Sequence, residues 1–275
     1  MRIEGDAGKR AVRAAVDAGY TLFDHADIYG GGTCETLFGE VLRESPGLRE
    51  KILLQSKCVV RFADDSSPAR YDSSREHIIS SVNGSLARLG VEQLDLFLVH
   101  RPDYLMNAEE VAVAFDTLKS SGKVARFGVS NFSTSQFDLL QSALPDPLLV
   151  NQVEINLHNI DALNNGVLDQ CQRLGITPQA WCPIAGVAYP AWGNTFTDED
   201  TARIRAELEI QSEKYNTEDW LIAVAWLLKH PAGISPIIGS TTPDRIRAAV
   251  TALDIDYSRE DWYRLLEARN GVSVP

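Results

Sequence analysis

Seven short apolar runs recur along this chain between longer segments of helical period, and each ends on a residue that can ionise, hydrogen-bond or stack. In order they are TLFDHADIY (ending at Tyr29), ILLQSK (Lys57), LFLVH (His100), RFGVSN (Asn131), LLVNQ (Gln152), ITPQAW (Trp181) and SPIIGS (Ser240). Runs this short and this continuously apolar predict parallel strands covered on both faces. A chemical group at the carboxyl end of strand after strand is how a (β/α) barrel assembles its site, because those ends share one mouth. The pattern predicts an α/β enzyme.

Helical segments fill the intervals. They are expected over Lys9–Ala18, Glu35–Arg43, Ser74–Leu89, Ala108–Ser121, Thr134–Gln141, Leu163–Leu174, Thr201–Lys214, Glu218–Lys229 and Pro243–Leu253. Gly19, Gly90, Gly122 and Gly175 stand where helices should stop, and Pro243 suits a first turn. The last helix, Arg259–Ala268, lies outside the repeat. Strands are expected at Thr21–Phe23, Ile52–Gln55, Leu94–Val99, Arg126–Val129, Leu148–Asn151, Ile176–Ala180 and Ile237–Ile238. No linker or low-complexity stretch interrupts the alternation, so residues 1–275 are read as one domain.

Composition narrows the function. A net charge of −12 argues against nucleic acid, whose phosphates call for basic patches. No apolar run is long enough for a membrane span, and Met1-Arg2-Ile3-Glu4 does not open a secretory signal. Cys34, Cys58, Cys171 and Cys182 form no CxxC pair, which suits reduced thiols and a cytoplasmic location. Cys182 reads as a small buried residue. His25, His77, His100, His158 and His230 are scattered without ligand spacing, so no metal is expected.

The order of the chemical groups is more specific than the fold. Asp24 and Tyr29 flank a turn backed by Gly30, Gly31 and Gly32; Lys57 ends the next strand and His100 the one after. Taken singly, Asp24 could cap a turn, Lys57 could be a solvated strand end and His100 a core histidine. If their strands are neighbours, the groups face one space. A phenol is a poor acid near neutrality, with an ordinary pKa of about 10. A nearby ammonium favours its phenolate. Asp24 can keep Lys57 charged and oriented, and His100 can donate to a substrate oxygen. Such a set delivers a proton to a carbonyl oxygen as hydride reaches the carbon, and the hydride must come from a nicotinamide.

The segments GYTLFDHADIYG, LLQSKC, LFLVHRPD, GKVARFGVSNF, NQVEINL, QAWCPI and IIGSTTPDRI, in this order, resemble the aldo-keto reductases over nearly the whole chain. The spellings HADIYGG and LVHRPD and the Trp of QAWCPI are most similar to the bacterial single-domain, NADPH-dependent branch. The resemblance implies a (β/α)8 TIM barrel and a catalytic tetrad of Asp24, Tyr29, Lys57 and His100. Tyr29 would be the acid in reduction and the base in oxidation of a small carbonyl or alcohol substrate. Ser130, Asn131 and Gln152 would hold the carboxamide of a non-covalently bound NADP(H), and Trp181 would stack on its nicotinamide ring. Ser240 and Arg245 would grip the 2′-phosphate, though Ser240 could equally cap the helix that follows. Tyr189 and Trp192 could line the substrate pocket.

Three features depart from the family pattern. The chain starts at what resembles the first barrel helix, and residues 1–8 are too few and too polar for the hairpin and first strand that usually precede it. The expectation is therefore a barrel short of its first strand, with the true start upstream or the product incomplete. Gly239 stands where many members carry a lysine against the 2′-phosphate, and Ala248-Ala249 where others carry polar adenine contacts. An alternative to the active reductase is a weak or inactive aldo-keto barrel that senses cofactor for a partner.

Overall fold

The structure is a computed structural model that describes residues 5–191 and 193–275. Two compact units emerge, Met1–Asn151 with Thr241–Pro243, and Gln152–Ser240 with Asp244–Pro275.

The first unit alternates helices and parallel strands. Helix α1 (Gly5–Asp17) leads to β1 (Leu22–Asp24), a 3-10 turn at Tyr29–Gly32 and α2 (Thr33–Glu44). Strand β2 (Leu53–Cys58) is followed by a small antiparallel hairpin, β3 (Val60–Arg61) and β4 (Arg70–Tyr71), and then by α3 (Arg75–Leu89). The unit continues through β5 (Leu94–Val99), α4 (Ala108–Ser120), β6 (Val124–Ser130), α5 (Thr134–Ser142) and the opening residues of β7 (Val150–Glu154). Strands β1, β2, β5 and β6 pair side by side in parallel, with Asp24 opposite Gln55 and Lys57 opposite Leu98.

Strand β2 is covered on both faces, with Leu54 through Cys58 buried without a break and the polar Gln55, Ser56 and Lys57 among them, whereas β1 is half-buried along its length. At Gly128 in β6, a Cβ would come within 2.6 Å of the Leu98 side chain and 2.9 Å of the Val150 carbonyl, so only glycine allows that approach. On the helix side, Phe115 stacks on Phe127 at 3.9 Å between ring centroids. Helix α3 begins at Ser74, whose hydroxyl accepts from the His77 amide, and ends at Gly90 in the left-handed region.

The second unit takes β7 to its end and adds α6 (Asp161–Asn164), α7 (Val167–Leu174), β8 (Thr177–Trp181), α8 (Asp198–Tyr215), α9 (Asp219–Leu228) and β9 (Ser235–Pro236). Helix α10 (Pro243–Ala249) and a 3-10 turn, Val250–Asp254, lead to α11 (Arg259–Asn270). Strands β8 and β9 are parallel partners. In the first unit the order β1-β2-β5-β6 follows the chain, with the β3–β4 hairpin set apart. Helix α9 is apolar after Asp219 and buried from Trp220 to Leu227. Trp226 and Trp262 stack at 5.0 Å, each indole N–H donating to the other residue's carbonyl.

Four expectations need correction. The last strand is Ser235–Pro236, not Ile237–Ile238. Its partners in β8 are Gln179 and Ala180, and Ile237 adds only its amide, bonded to the Ala180 carbonyl at 2.8 Å. Strand β7 runs on to Glu154, so Gln152 lies inside the strand and not at its tip. The helix expected over Leu163–Leu174 breaks at Asn165-Gly166 into α6 and α7. The helix expected to reach Leu253 is α-helical only to Ala249. Among the described residues no helix is long and apolar enough to cross a membrane.

Candidate active site

Three adjacent strands of the first unit present the sequence-marked tetrad at neighbouring ends. Asp24 is the last residue of β1, Lys57 the penultimate residue of β2, and His100 follows β5 directly. Tyr29 opens the 3-10 turn after β1 and is 37% exposed, the most accessible of the four.

Lys57 is fully buried. Its ammonium donates to both carboxylate oxygens of Asp24, at 2.6 and 2.7 Å, and to the His25 carbonyl at 2.8 Å. An enclosed ammonium is tolerable only with its charge and donors matched in this way. The Gln55 amide also donates to Asp24, which holds the carboxylate from the neighbouring register position. The Lys57 ammonium lies 5.2 Å from the centroid of the Tyr29 ring, and the His100 ring stands edge-on to it at 6.0 Å and 84°.

His100 is a neutral ring. Burial first, then the charges of Lys57 and Arg101, push its pKa down to about 3. Its Nδ1 is buried without a partner, so the tautomer with the proton on Nε2 leaves only a lone pair there and avoids an orphaned N–H. A cation beside a phenol, next to a neutral imidazole, can stabilise a developing phenolate while the ring nitrogen donates to a second oxygen.

The turn that carries Tyr29 is held from below. Gly30, Gly31 and Gly32 all have positive φ, and a Cβ on Gly32 would lie 2.8 Å from the Arg88 side chain. Arg88 donates to Glu35 at 2.8 Å, and the Ser56 hydroxyl reaches the same carboxylate at 2.6 Å. Glu35 is wholly buried. None of Gln55, Ser56, Glu35 and Arg88 stood out in the sequence. The available signal was the alternation of QSKC: Gln55 and Lys57 face Asp24, whereas Ser56 faces α2 and Cys58 faces α3.

The remaining sequence-marked residues divide between the units. In the first, Ser130 is buried at the end of β6, and Asn131 follows it with φ +62°. The Asn131 amide donates to the His100 carbonyl at 3.2 Å and to the Ser130 hydroxyl at 2.9 Å, so these two also brace the strand end that bears His100. In the second unit, Gln152 is buried and donates to Gln179 at 2.8 Å. Trp181 ends β8 half-buried, Ser240 is half-buried, and Arg245 is exposed with its guanidinium 6.0 Å from the Trp220 ring. Tyr189 is 38% exposed, and Cys182 is half-buried rather than enclosed. Trp192 and residues 1–4 lie outside the described residues.

Scattered histidine spacing gave no metal set in the sequence. Tertiary structure nevertheless brings Asp27, Cys58 and His77 together, with their donor atoms within 4.8 Å of one another.

Comparison with known proteins identifies the family and the class of fold. The Aldo/keto reductase family matches residues 2–270. The Bacillus subtilis oxidoreductase YcsN is 44% identical over 267 residues, covering 94% of this chain and 87% of that protein. A 6-dehydroglucose reductase of Agrobacterium fabrum is 39% identical over 279 residues, covering 98% of this chain and 92% of its own. Among solved structures, an aldo/keto reductase from Klebsiella pneumoniae in complex with NADP and acetate superimposes with a TM-score of 0.78 at 24% identity, covering 94% of this chain and 83% of the other. The chain belongs to the aldo/keto reductase family and to its α/β, TIM-barrel class of fold.

Proposed function

We propose that this protein is an NADP(H)-dependent oxidoreductase that reduces a small aldehyde or ketone to an alcohol, with Tyr29 as the proton donor. The observation that carries the reading is the buried Asp24–Lys57 ion pair set against the Tyr29 ring, with the neutral His100 at its edge.

Each residue has a task that its surroundings support. Asp24 meets the Lys57 ammonium with both oxygens, and the field of that ammonium stabilises negative charge on the phenol oxygen as the proton leaves. His100, neutral and with a proton on Nε2, donates to the substrate carbonyl oxygen and orients it. Tyr29, exposed enough to meet a ligand, gives its proton to that oxygen in reduction and takes it back in oxidation.

The nicotinamide supplies the hydride when bound. The donor chemistry on this chain suits such a group. The Ser130 hydroxyl and the Asn131 and Gln152 amides match a carboxamide, and Trp181 offers a flat apolar face. Arg245 presents an exposed cation for a 2′-phosphate, with Ser240 as a hydroxyl partner. A structural relative bound to NADP and the oxidoreductase names of the sequence relatives support the same cofactor class.

The deciding experiment is titration with NADPH and NADH by intrinsic fluorescence, followed by a carbonyl panel read as loss of reduced cofactor. The panel should include aliphatic and aromatic aldehydes and, because of the Agrobacterium relative, 6-dehydroglucose. Binding with turnover is expected. Binding without turnover on any carbonyl would replace the reductase with a cofactor-sensing role.

A further inference from the structure

Alternation along β2 places Lys57 toward the tetrad and Cys58 toward α3, and behind that strand the fold gathers donors that the reductase chemistry does not use. Asp27 comes from the turn after β1, Cys58 from the end of β2 and His77 from the first turn of α3. One atom of each lies within 4.8 Å of the others. Ser81, one helical turn beyond His77, supplies a fourth: its hydroxyl is 3.4 Å from His77 Nε2. Cys58 is wholly enclosed, and Asp27 Oδ1 is buried without a partner.

We propose that Asp27, Cys58, His77 and Ser81 form a binding site for one zinc-class divalent cation. A tetrahedral ion with bonds of about 2.0–2.3 Å needs donors about 3.3–3.8 Å apart. The set here is within about an ångström of that spacing, so small side-chain rotations close it. Sulfur, imidazole and carboxylate are the mixed donors zinc takes, and one thiolate with one carboxylate balances a dication. The orphaned Asp27 oxygen gains the partner that the protein does not supply. Arg61 lies 3.4 Å from His77 Nδ1 and leaves Nε2 on the side of Ser81. The Arg61 charge is matched by Asp72 at 3.1 Å.

A nucleophilic role suits the same residues poorly. Burial pushes the Cys58 thiol well above its ordinary range, so without a metal it stays protonated. An ion at this place would tie the turn leading to Tyr29 to the strand end bearing Lys57, from the face opposite the tetrad.

The test uses the reduced, tag-free, chelator-treated chain titrated with Co(II) and then with Zn(II). Co(II) is expected to saturate at one equivalent, with a near-ultraviolet thiolate-to-cobalt band and the strong visible bands of a four-coordinate ion; Zn(II) should displace it and raise the melting temperature. Cys58→Ser should abolish the thiolate band, and His77→Gln should weaken binding by about tenfold or more. Circular dichroism checks that each variant is folded, and the wild-type titration stands if one is not. No band at one equivalent in the folded wild-type chain, or an undiminished band in folded Cys58→Ser, would overturn the proposal. The measurement reads binding and not turnover, so it is independent of the reductase assignment.

Discussion

The ammonium of Lys57, fully enclosed, lies 2.6 and 2.7 Å from the two carboxylate oxygens of Asp24. Removing one partner of such a pair strands a buried charge, at a cost of about 3–5 kcal/mol, whereas replacing both with apolar groups of similar size is far less damaging. Asp24→Asn and Lys57→Met should therefore each lower the denaturant midpoint sharply, and Asp24→Leu/Lys57→Met should recover much of the loss. All three should be nearly inactive on carbonyls. Strictly additive losses in a double-mutant cycle would show that the pair is not coupled.

His100 should carry no proton across the working range. Its folded pKa, about 3, lies below the unfolded value of about 6.5. Between those values the unfolded chain binds a proton that the native ring refuses. The contribution of His100 to stability is therefore fully present above about 6.5 and declines as pH falls toward about 3. Melting curves of chelated protein should lose stability on acidification through that window, less steeply in His100→Gln. A His100 imidazole resonance titrating near pH 6.5 would contradict its burial as a neutral ring.

Arg88 is a positioning residue for the proposed acid, Tyr29. It packs beneath Gly32 and pairs with the wholly buried Glu35, so the Tyr29 turn rests on it. Arg88→Met should lower kcat by up to about 100-fold with little change in cofactor affinity, because a small displacement of the donor misaligns it. Arg88→Lys should restore part of kcat. A loss confined to KM would instead place Arg88 in substrate binding.

Arg245 is exposed and free to meet an anion through a guanidinium that now lies over Trp220. Arg245→Ala should weaken NADPH by about 1–2 kcal/mol, the scale of one charge-assisted contact at a partly exposed site, and leave NADH nearly unchanged. Equal losses for both cofactors would remove the 2′-phosphate contact from the assignment.

The strand ends of the tetrad were legible in the sequence because their apolar runs stop where chemistry begins: Asp24 closes LFD, Lys57 is the penultimate residue of LLQSKC, and His100 follows LFLV. The strand at Ser235–Pro236 was not legible: Pro236 has no N–H and Ile237-Ile238 look more strand-like, yet the partner's hydrogen-bond groups decide the pairing. The β3–β4 hairpin escaped because two residues per strand carry no period. Asp27, Cys58, His77 and Ser81 escaped for another reason. They come from separate segments, and only the parallel pairing of β1 with β2 and the packing of α3 behind them bring the donors together. The Glu35–Arg88 pair was hidden likewise, since each residue alone reads as an ordinary charge on a helix face.

Tyr29→Phe tests the central claim most directly, because it removes one oxygen and leaves the Asp24–Lys57 pair and His100 in place. Rapid-mixing measurement of NADPH oxidation with a carbonyl substrate, alongside NADPH affinity by fluorescence, separates chemistry from binding. The expected result is a loss of about 100-fold or more in the reduction rate at nearly unchanged NADPH affinity. Turnover within a few-fold of the parent enzyme would contradict Tyr29 as the proton donor.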